Sequence, residues 1–129
     1  MENDSSYDFS HLRVLYVEDT SAFQTMMEGI FKFLKIDKFH IVNNGIEAIE
    51  YTYKNDYDVI IIDLEMPYMG GHEAVSIIQN KLEVSTPIYV CSTVDSFTSG
   101  NIDNNIYQEA IAKPFQFEDI VKVLEKNTT

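Results

Sequence analysis

The sequence predicts a doubly wound α/β domain, built on one five-stranded parallel sheet with helices on both faces. Three observations predict it. Short apolar runs alternate with helix-periodic segments along the chain. The third of those runs, VIIID at Val59–Asp63, is β-branched and apolar until its last residue, as expected of a strand covered on both faces. The length of 129 residues suits one domain.

Residues 1–10 are polar and acidic and read as a flexible lead-in to a domain over 11–129. Arg13–Val17 (RVLYV) is the first strand. Ser21–Leu34 is the first helix, since Phe23, Met26, Met27, Ile30, Phe31 and Leu34 fall on one helical face. Phe39–Val42 is the second strand and Gly45–Lys54 the second helix. After Val59–Asp63, a third helix runs from Gly71 to Leu82, and Pro87–Cys91 is the fourth strand. Ala110–Ala112 is a short fifth strand. Phe117, Ile120, Val121 and Leu124 mark a final amphipathic helix.

Thr93–Gln108 resists this pattern. A fourth helix belongs there, yet the segment reads TVDSFTSGNIDNNIYQ. Asn, Ser, Asp, Thr and Gly disfavour helical backbone, so this helix is expected to be short, displaced or irregular.

The formal charge is −12, from 9 basic and 21 acidic residues. Such a surface repels nucleic acid and anionic membranes and favours basic protein patches or divalent cations. No apolar run reaches the length of a membrane span, and the N-terminus lacks a signal-peptide pattern. A single cysteine, Cys91, excludes an intrachain disulfide and reads as a small buried strand residue. A cytoplasmic location is the expectation.

In a parallel sheet with right-handed crossovers, ligands bind at the carboxyl ends of the strands. Glu18-Asp19 ends the first strand, Asp63 the third, Ser92 and Thr93 the fourth, and Lys113-Pro114 the fifth. Three carboxylates on one rim repel one another. A hard divalent cation relieves that repulsion, and Mg²⁺ suits oxygen ligands shared with a phosphate. Asp63 can then act as a nucleophile toward phosphorus, with Lys113 and Ser92 on the phosphate oxygens. Each piece alone has a plainer reading: a helix-start acid, a turn Asp, a loop hydroxyl, a surface lysine. Their convergence on one rim carries the functional one. His11, His40 and His72 share no metal-ligand spacing and read as structural or surface residues.

Ordered segments of the chain resemble the response-regulator receiver domains of two-component signalling. RVLYVEDT resembles that family's first strand and acidic pair. VNNGIEAIE resembles its second strand and helix start. VIIIDLEMPYMGG resembles its phosphoacceptor segment, with D-x-x-M-P-x-x-x-G spacing from Asp63 to Gly71. PIYVCST and IAKPF resemble its fourth-strand end and Lys-Pro turn. The resemblance spans Leu12 to Lys126 and implies a flavodoxin-like strand order 2-1-3-4-5.

It also implies roles. Asp63 is the phosphoacceptor. Asp63, Asp19 and the backbone carbonyl of Glu65 are direct Mg²⁺ ligands, with Glu18 acting through water; Mn²⁺ is the alternative ion. Lys113 contacts the phosphate, and Pro114 follows it through a bond often cis in the family. Counted from Pro87, Ser92 rather than Thr93 is the switch hydroxyl. From their expected position around Asp63, Thr93 is expected to narrow phosphate access, and Glu65 and Val94 to tune the lifetime of the phosphoryl group.

One departure concerns readout. The family usually places an aromatic ring three residues before the lysine, where this chain has Ala110.

The expected function is therefore a phosphoacceptor in a two-component or phosphorelay system. A histidine kinase or histidine phosphotransfer protein would supply the group, and signalling would pass to a downstream protein target by contact. No nucleic acid or membrane partner and no separate enzymatic turnover are expected beyond autodephosphorylation. An alternative is a constitutive interaction module that leaves its acidic site unused; another is a fragment of a larger regulator or hybrid kinase. A phosphatase of the D-x-D-x-[TV] type is disfavoured, because Glu65 stands at the second acid and Pro67 at the hydroxyl position.

Overall fold

In the computed structural model, residues 8–66, 71–81, 86–92 and 109–128 are described. Five parallel strands form one sheet in the order β2-β1-β3-β4-β5, as expected. They are β1 (Arg13–Val17), β2 (Lys38–Val42), β3 (Val59–Asp63), β4 (Ile88–Ser92) and β5 (Glu109–Ala112). The helices are α1 (Ser21–Phe33), α2 (Gly45–Lys54), α3 (Gly71–Lys81) and a C-terminal helix, Phe117–Glu125. The expected irregular helix over Thr93–Gln108 lies outside the described residues.

Strand pleating sorts the core into two halves, because alternate side chains point to opposite faces. From β1, Val14 and Tyr16 enter one half, with Met27, Phe31 and Leu34 from the α1 side and Ile120 and Leu124 from the C-terminal helix. Leu15 and Val17 enter the other half, with Ala48 of α2 and Val75 and Ile78 of α3. All five residues of β3 and of β4 are buried. The edge strand β2 alternates with solvent instead, which leaves it a weaker apolar signature.

The sequence boundaries shift in small ways with local causes. α1 ends at Phe33 rather than Leu34, because Lys35 turns left-handed at φ 65°. The Ile36 N–H donates to Phe31 O at 2.9 Å and the Lys35 N–H to Lys32 O at 3.1 Å, the paired bonds of a Schellman terminus. Met26, placed on the apolar face by periodicity, is 46% exposed; the buried stripe is the narrower one of Met27, Phe31 and Leu34. β2 begins one residue early, and β4 runs to Ser92.

Helix starts are marked by side chains. Asn44 Oδ1 accepts the Glu47 N–H at 2.9 Å, while Glu47 Oε1 accepts the Asn43 N–H at 2.7 Å. Asp119 Oδ2 accepts the Gln116 N–H at 2.8 Å. Each bond satisfies a donor near a helix start that the helix itself leaves free.

Within the stretch read as a lead-in, Phe9 is 4% exposed and sits in the first core half. Its carbonyl accepts the Leu12 N–H at 2.9 Å, so a tight turn carries the ring under the sheet.

Candidate functional site

β1 lies between β2 and β3, so the strand order sets the end of β1 beside the end of β3. Parallel pairing of Val17 with Ile62 then brings Glu18-Asp19 alongside Asp63. β4 and β5 continue the rim, with Ser92 opposite Ala112. The turn into Lys113 is held by its N–H donating to Ser92 O at 2.8 Å, and the Lys113-Pro114 bond is cis.

Glu18, Asp19 and Asp63 each offer a carboxylate oxygen, and these atoms lie within 4.8 Å of one another. Glu18 and Asp63 are buried, while Asp19 is exposed. The Lys113 side chain, 10% exposed, reaches into the group. Its Nζ lies 3.1 Å from Asp63 Oδ2 and 3.2 Å from Glu18 Oε1. The same ammonium sits 4.3 Å from the centroid of the Phe23 ring, a cation–π contact on its outer side.

The two buried carboxylates are held differently. Glu18 Oε1 also accepts the Tyr16 hydroxyl at 3.1 Å, and Glu18 Oε2 accepts the Thr20 N–H at 3.1 Å. Asp63 Oδ1 accepts the Glu65 N–H at 3.1 Å. Burial pushes the Asp63 carboxyl up to about 6; the Glu65 N–H pulls it down, Glu18 pushes it up and Lys113 pulls it down. Burial lowers the Lys113 ammonium, but contacts with Asp63 and Glu18 outweigh it and leave the group raised. Burial likewise drives the Tyr16 hydroxyl and the Cys91 thiol upward, which keeps both protonated at neutral pH.

Three formal negative charges therefore face one ammonium. A cation that prefers oxygen ligands fits this donor set, since it completes the charge balance without needing nitrogen or sulfur. Asp63 ends β3 with one oxygen 3.1 Å from the ammonium, which it shares with Glu18, and its burial favours the protonated carboxyl. The arrangement can hold a phosphoryl group on that oxygen, with Lys113 beside it as counter-charge.

Of the residues expected at the site, Glu18, Asp19, Asp63 and Lys113 are brought together. Ser92 ends β4 on the same rim and is fully buried, but its hydroxyl donates to Glu65 Oε2 at 3.3 Å. Thr93 and Val94 lie outside the described residues. Ala110 is exposed on β5, and it brings no ring to that position. His40 is structural, as expected: Nδ1 is 2.8 Å from the Tyr57 hydroxyl, and the ring packs edge-on against Tyr51 and Tyr57. The His72 side chain is not among those described.

Tyr16 and Phe23 are contributors that sequence reading passed over. Tyr16 stands two residues before Glu18, the spacing that puts both on one strand face. Phe23 stands four after Asp19, within the first turn of α1. Both signals are present but weak, because an aromatic residue at those positions reads equally well as core.

The family described as "Response regulator receiver domain" matches residues 14–125. The chemotaxis protein CheY of Listeria monocytogenes is 30% identical over 118 residues, covering 89% of this chain and 97% of that protein. The receiver domain of the sensor histidine kinase PA1611 from Pseudomonas aeruginosa, solved with a magnesium ion coordinated in its active-site cleft, superposes with a TM-score of 0.80 at 23% identity. That match covers 90% of this chain and 96% of the other. The receiver domain of the response regulator Ssk1 from Saccharomyces cerevisiae, solved with the histidine phosphotransfer protein Ypd1, is similar to it at a TM-score of 0.77 and 20% identity. It covers 93% of this chain and 90% of the other. The two structural likenesses are likenesses of fold.

Proposed function

The chain belongs to the response regulator receiver domain family, and from that premise we propose that Asp63 accepts a phosphoryl group from a phosphohistidine. Receiver domains of two-component and phosphorelay systems are phosphoacceptors rather than conventional enzymes. The observation that carries the assignment to Asp63 is its position. It is the buried carboxylate at the end of β3 whose Oδ2 lies 3.1 Å from the Lys113 ammonium, inside a cluster of three carboxylates.

In this reading an Asp63 oxygen attacks phosphorus, a P–O bond forms and the P–N bond to the donor imidazole breaks. The electron pair leaves on the imidazole nitrogen. Lys113 neutralises charge on one phosphoryl oxygen, and Ser92 donates its hydroxyl to another. Glu18 keeps Lys113 aimed at the acceptor through its own 3.2 Å contact. Asp19, Asp63, the Glu65 carbonyl and, through water, Glu18 would hold Mg²⁺, with Mn²⁺ as an alternative. When bound, the ion would supply charge neutralisation at the acceptor. Autodephosphorylation, tuned by Glu65, Thr93 and Val94, would return the site to rest.

The phosphoryl donor would be a histidine kinase or a histidine phosphotransfer protein, and output would pass to a downstream protein target. The net charge of −12 disfavours direct nucleic-acid contact. No helix among the described residues is long and apolar enough to cross a membrane; a cytoplasmic site of action is part of this reading. The receiver unit is taken as 11–129 with a short lead-in, from which Phe9 contributes one core side chain.

The test is incubation with acetyl phosphate, with and without Mg²⁺, followed by intact mass and peptide mapping. The expected result is one added phosphoryl group, dependent on Mg²⁺, mapped to Asp63 and abolished by Asp63→Asn. No adduct under any condition would favour a constitutive interaction module, a reading that the exposed Ala110 on β5 also suits.

A further inference from the structure

Ser92 is fully buried, and its hydroxyl carries one proton. That proton is engaged: Oγ lies 3.3 Å from Glu65 Oε2, a contact between β4 and the turn after β3. Glu65 is anchored at its other end, since its N–H donates to Asp63 Oδ1 at 3.1 Å. One residue therefore joins the acceptor carboxylate, through its backbone, to the neighbouring strand end, through its side chain.

We propose that the Glu65 carboxylate is a latch on Ser92, holding in the resting protein the hydroxyl proton that a phosphoryl oxygen on Asp63 must take over. This rests on the phosphoacceptor reading of Asp63 and adds a positioning role for the Glu65 side chain. A single hydroxyl proton cannot serve both acceptors well. A phosphoryl group on Asp63 offers Ser92 a second charged acceptor, in competition with the 3.3 Å contact to Glu65. The latch opens as the adduct forms, and its strength sets how readily the adduct forms. The Glu65 backbone is unaffected by substitution of its side chain, so the N–H to Asp63 and the carbonyl remain in place.

The experiment is a double-mutant cycle on the full chain, using beryllofluoride at saturating Mg²⁺ as a stand-in for the phosphoryl group. Wild type, Glu65→Ala, Ser92→Ala and the double variant are titrated by NMR or calorimetry, with Glu65→Gln alongside. Glu65→Ala is expected to bind the probe about 5-fold more tightly than wild type, as release of a weak charge-assisted bond implies. Glu65→Gln, which keeps an acceptor without the charge, should gain less. In the Ser92→Ala background, removing Glu65 should change affinity less than 2-fold, because the partner of the latch is gone.

An unchanged affinity in Glu65→Ala overturns the latch. So does an equal gain in the Ser92→Ala background, or an equal gain from Gln and Ala, both of which point to plain charge repulsion. Absence of any adduct in wild type overturns the phosphoacceptor reading, and the latch falls with it. The two failures are thus distinct.

Discussion

Lys113 and Asp63, fifty residues apart in sequence, are joined by an ion pair of 3.1 Å. The lysine also bonds Glu18, ninety-five residues away, at 3.2 Å. One ammonium therefore stands against two buried carboxylates, and this sets how the site responds to charge.

Removing that ammonium should separate metal binding from phosphoryl binding. In Lys113→Met the three carboxylates lose their fixed counter-charge, so Mg²⁺ should bind about 3–10-fold more tightly. On the proposed role of Lys113 as counter-charge to the phosphoryl group, beryllofluoride should bind ~10-fold more weakly. Calorimetric titration of each, in sequence, checks the opposite signs. A parallel fall in both affinities would show that the lysine chiefly supports the fold.

Metal affinity should depend on pH through Asp63. Its carboxyl is pushed up to about 6, with burial the largest cause. Above that pH it is ionised and free to take a cation; below it, protons compete. Mg²⁺ affinity should fall as pH drops through about 6, and the step should vanish in Asp63→Asn. NMR titration of Mg²⁺ at a series of pH values reads this directly.

The same shift predicts a stability effect. Below about pH 4 Asp63 is protonated in folded and unfolded chains alike, and it adds no penalty. As pH rises from about 4 to 6, the unfolded chain ionises while the folded one resists, so stability is lost. Above 6 the penalty is complete. Without metal, Asp63→Asn should therefore stabilise the protein by at least ~1 kcal/mol above pH 6, and not at all below pH 4. For a domain of this size that is roughly 4 °C in Tm, readable in thermal melts at both pH values.

Tyr16→Phe removes one hydroxyl and leaves Glu18 buried with one donor fewer. The expected cost is about 1–3 kcal/mol, since the lost bond is to a buried carboxylate. Beryllofluoride affinity should fall as well, because Glu18 helps hold Lys113. Urea unfolding and a beryllofluoride titration check the two effects separately.

Lys35 occupies a left-handed position at φ 65° that glycine fills without a Cβ penalty. Lys35→Gly should raise stability by ~0.5–1 kcal/mol with no change in metal binding. Denaturant melts of the two proteins decide it.

Much of this was legible in the residues. Val59–Asp63 and Gly45–Lys54 match their expected bounds, because a fully buried strand and a capped helix both carry strong local patterns. The order of the strands, and with it the meeting of Asp19, Asp63 and Lys113, follows from the family's motif sequence. Contacts that depend on side-chain reach were not legible. The bond from the Ser92 hydroxyl to Glu65 is one of these; no spacing rule encodes which of two acceptors a hydroxyl chooses. Phe9 stands among polar neighbours that carry no core pattern, and only the turn to Leu12 reveals where the ring goes.

The reach of Lys113 across the chain also bears on the order in which the protein assembles. Carboxylates from the first and third strands can meet early, but their counter-ion arrives only when the last strand joins the sheet. Closing so long a loop costs more chain entropy than joining neighbouring strands. A chain caught short of that step would carry the acidic cluster without its lysine, so competence to hold a phosphoryl group becomes a reporter of completed folding.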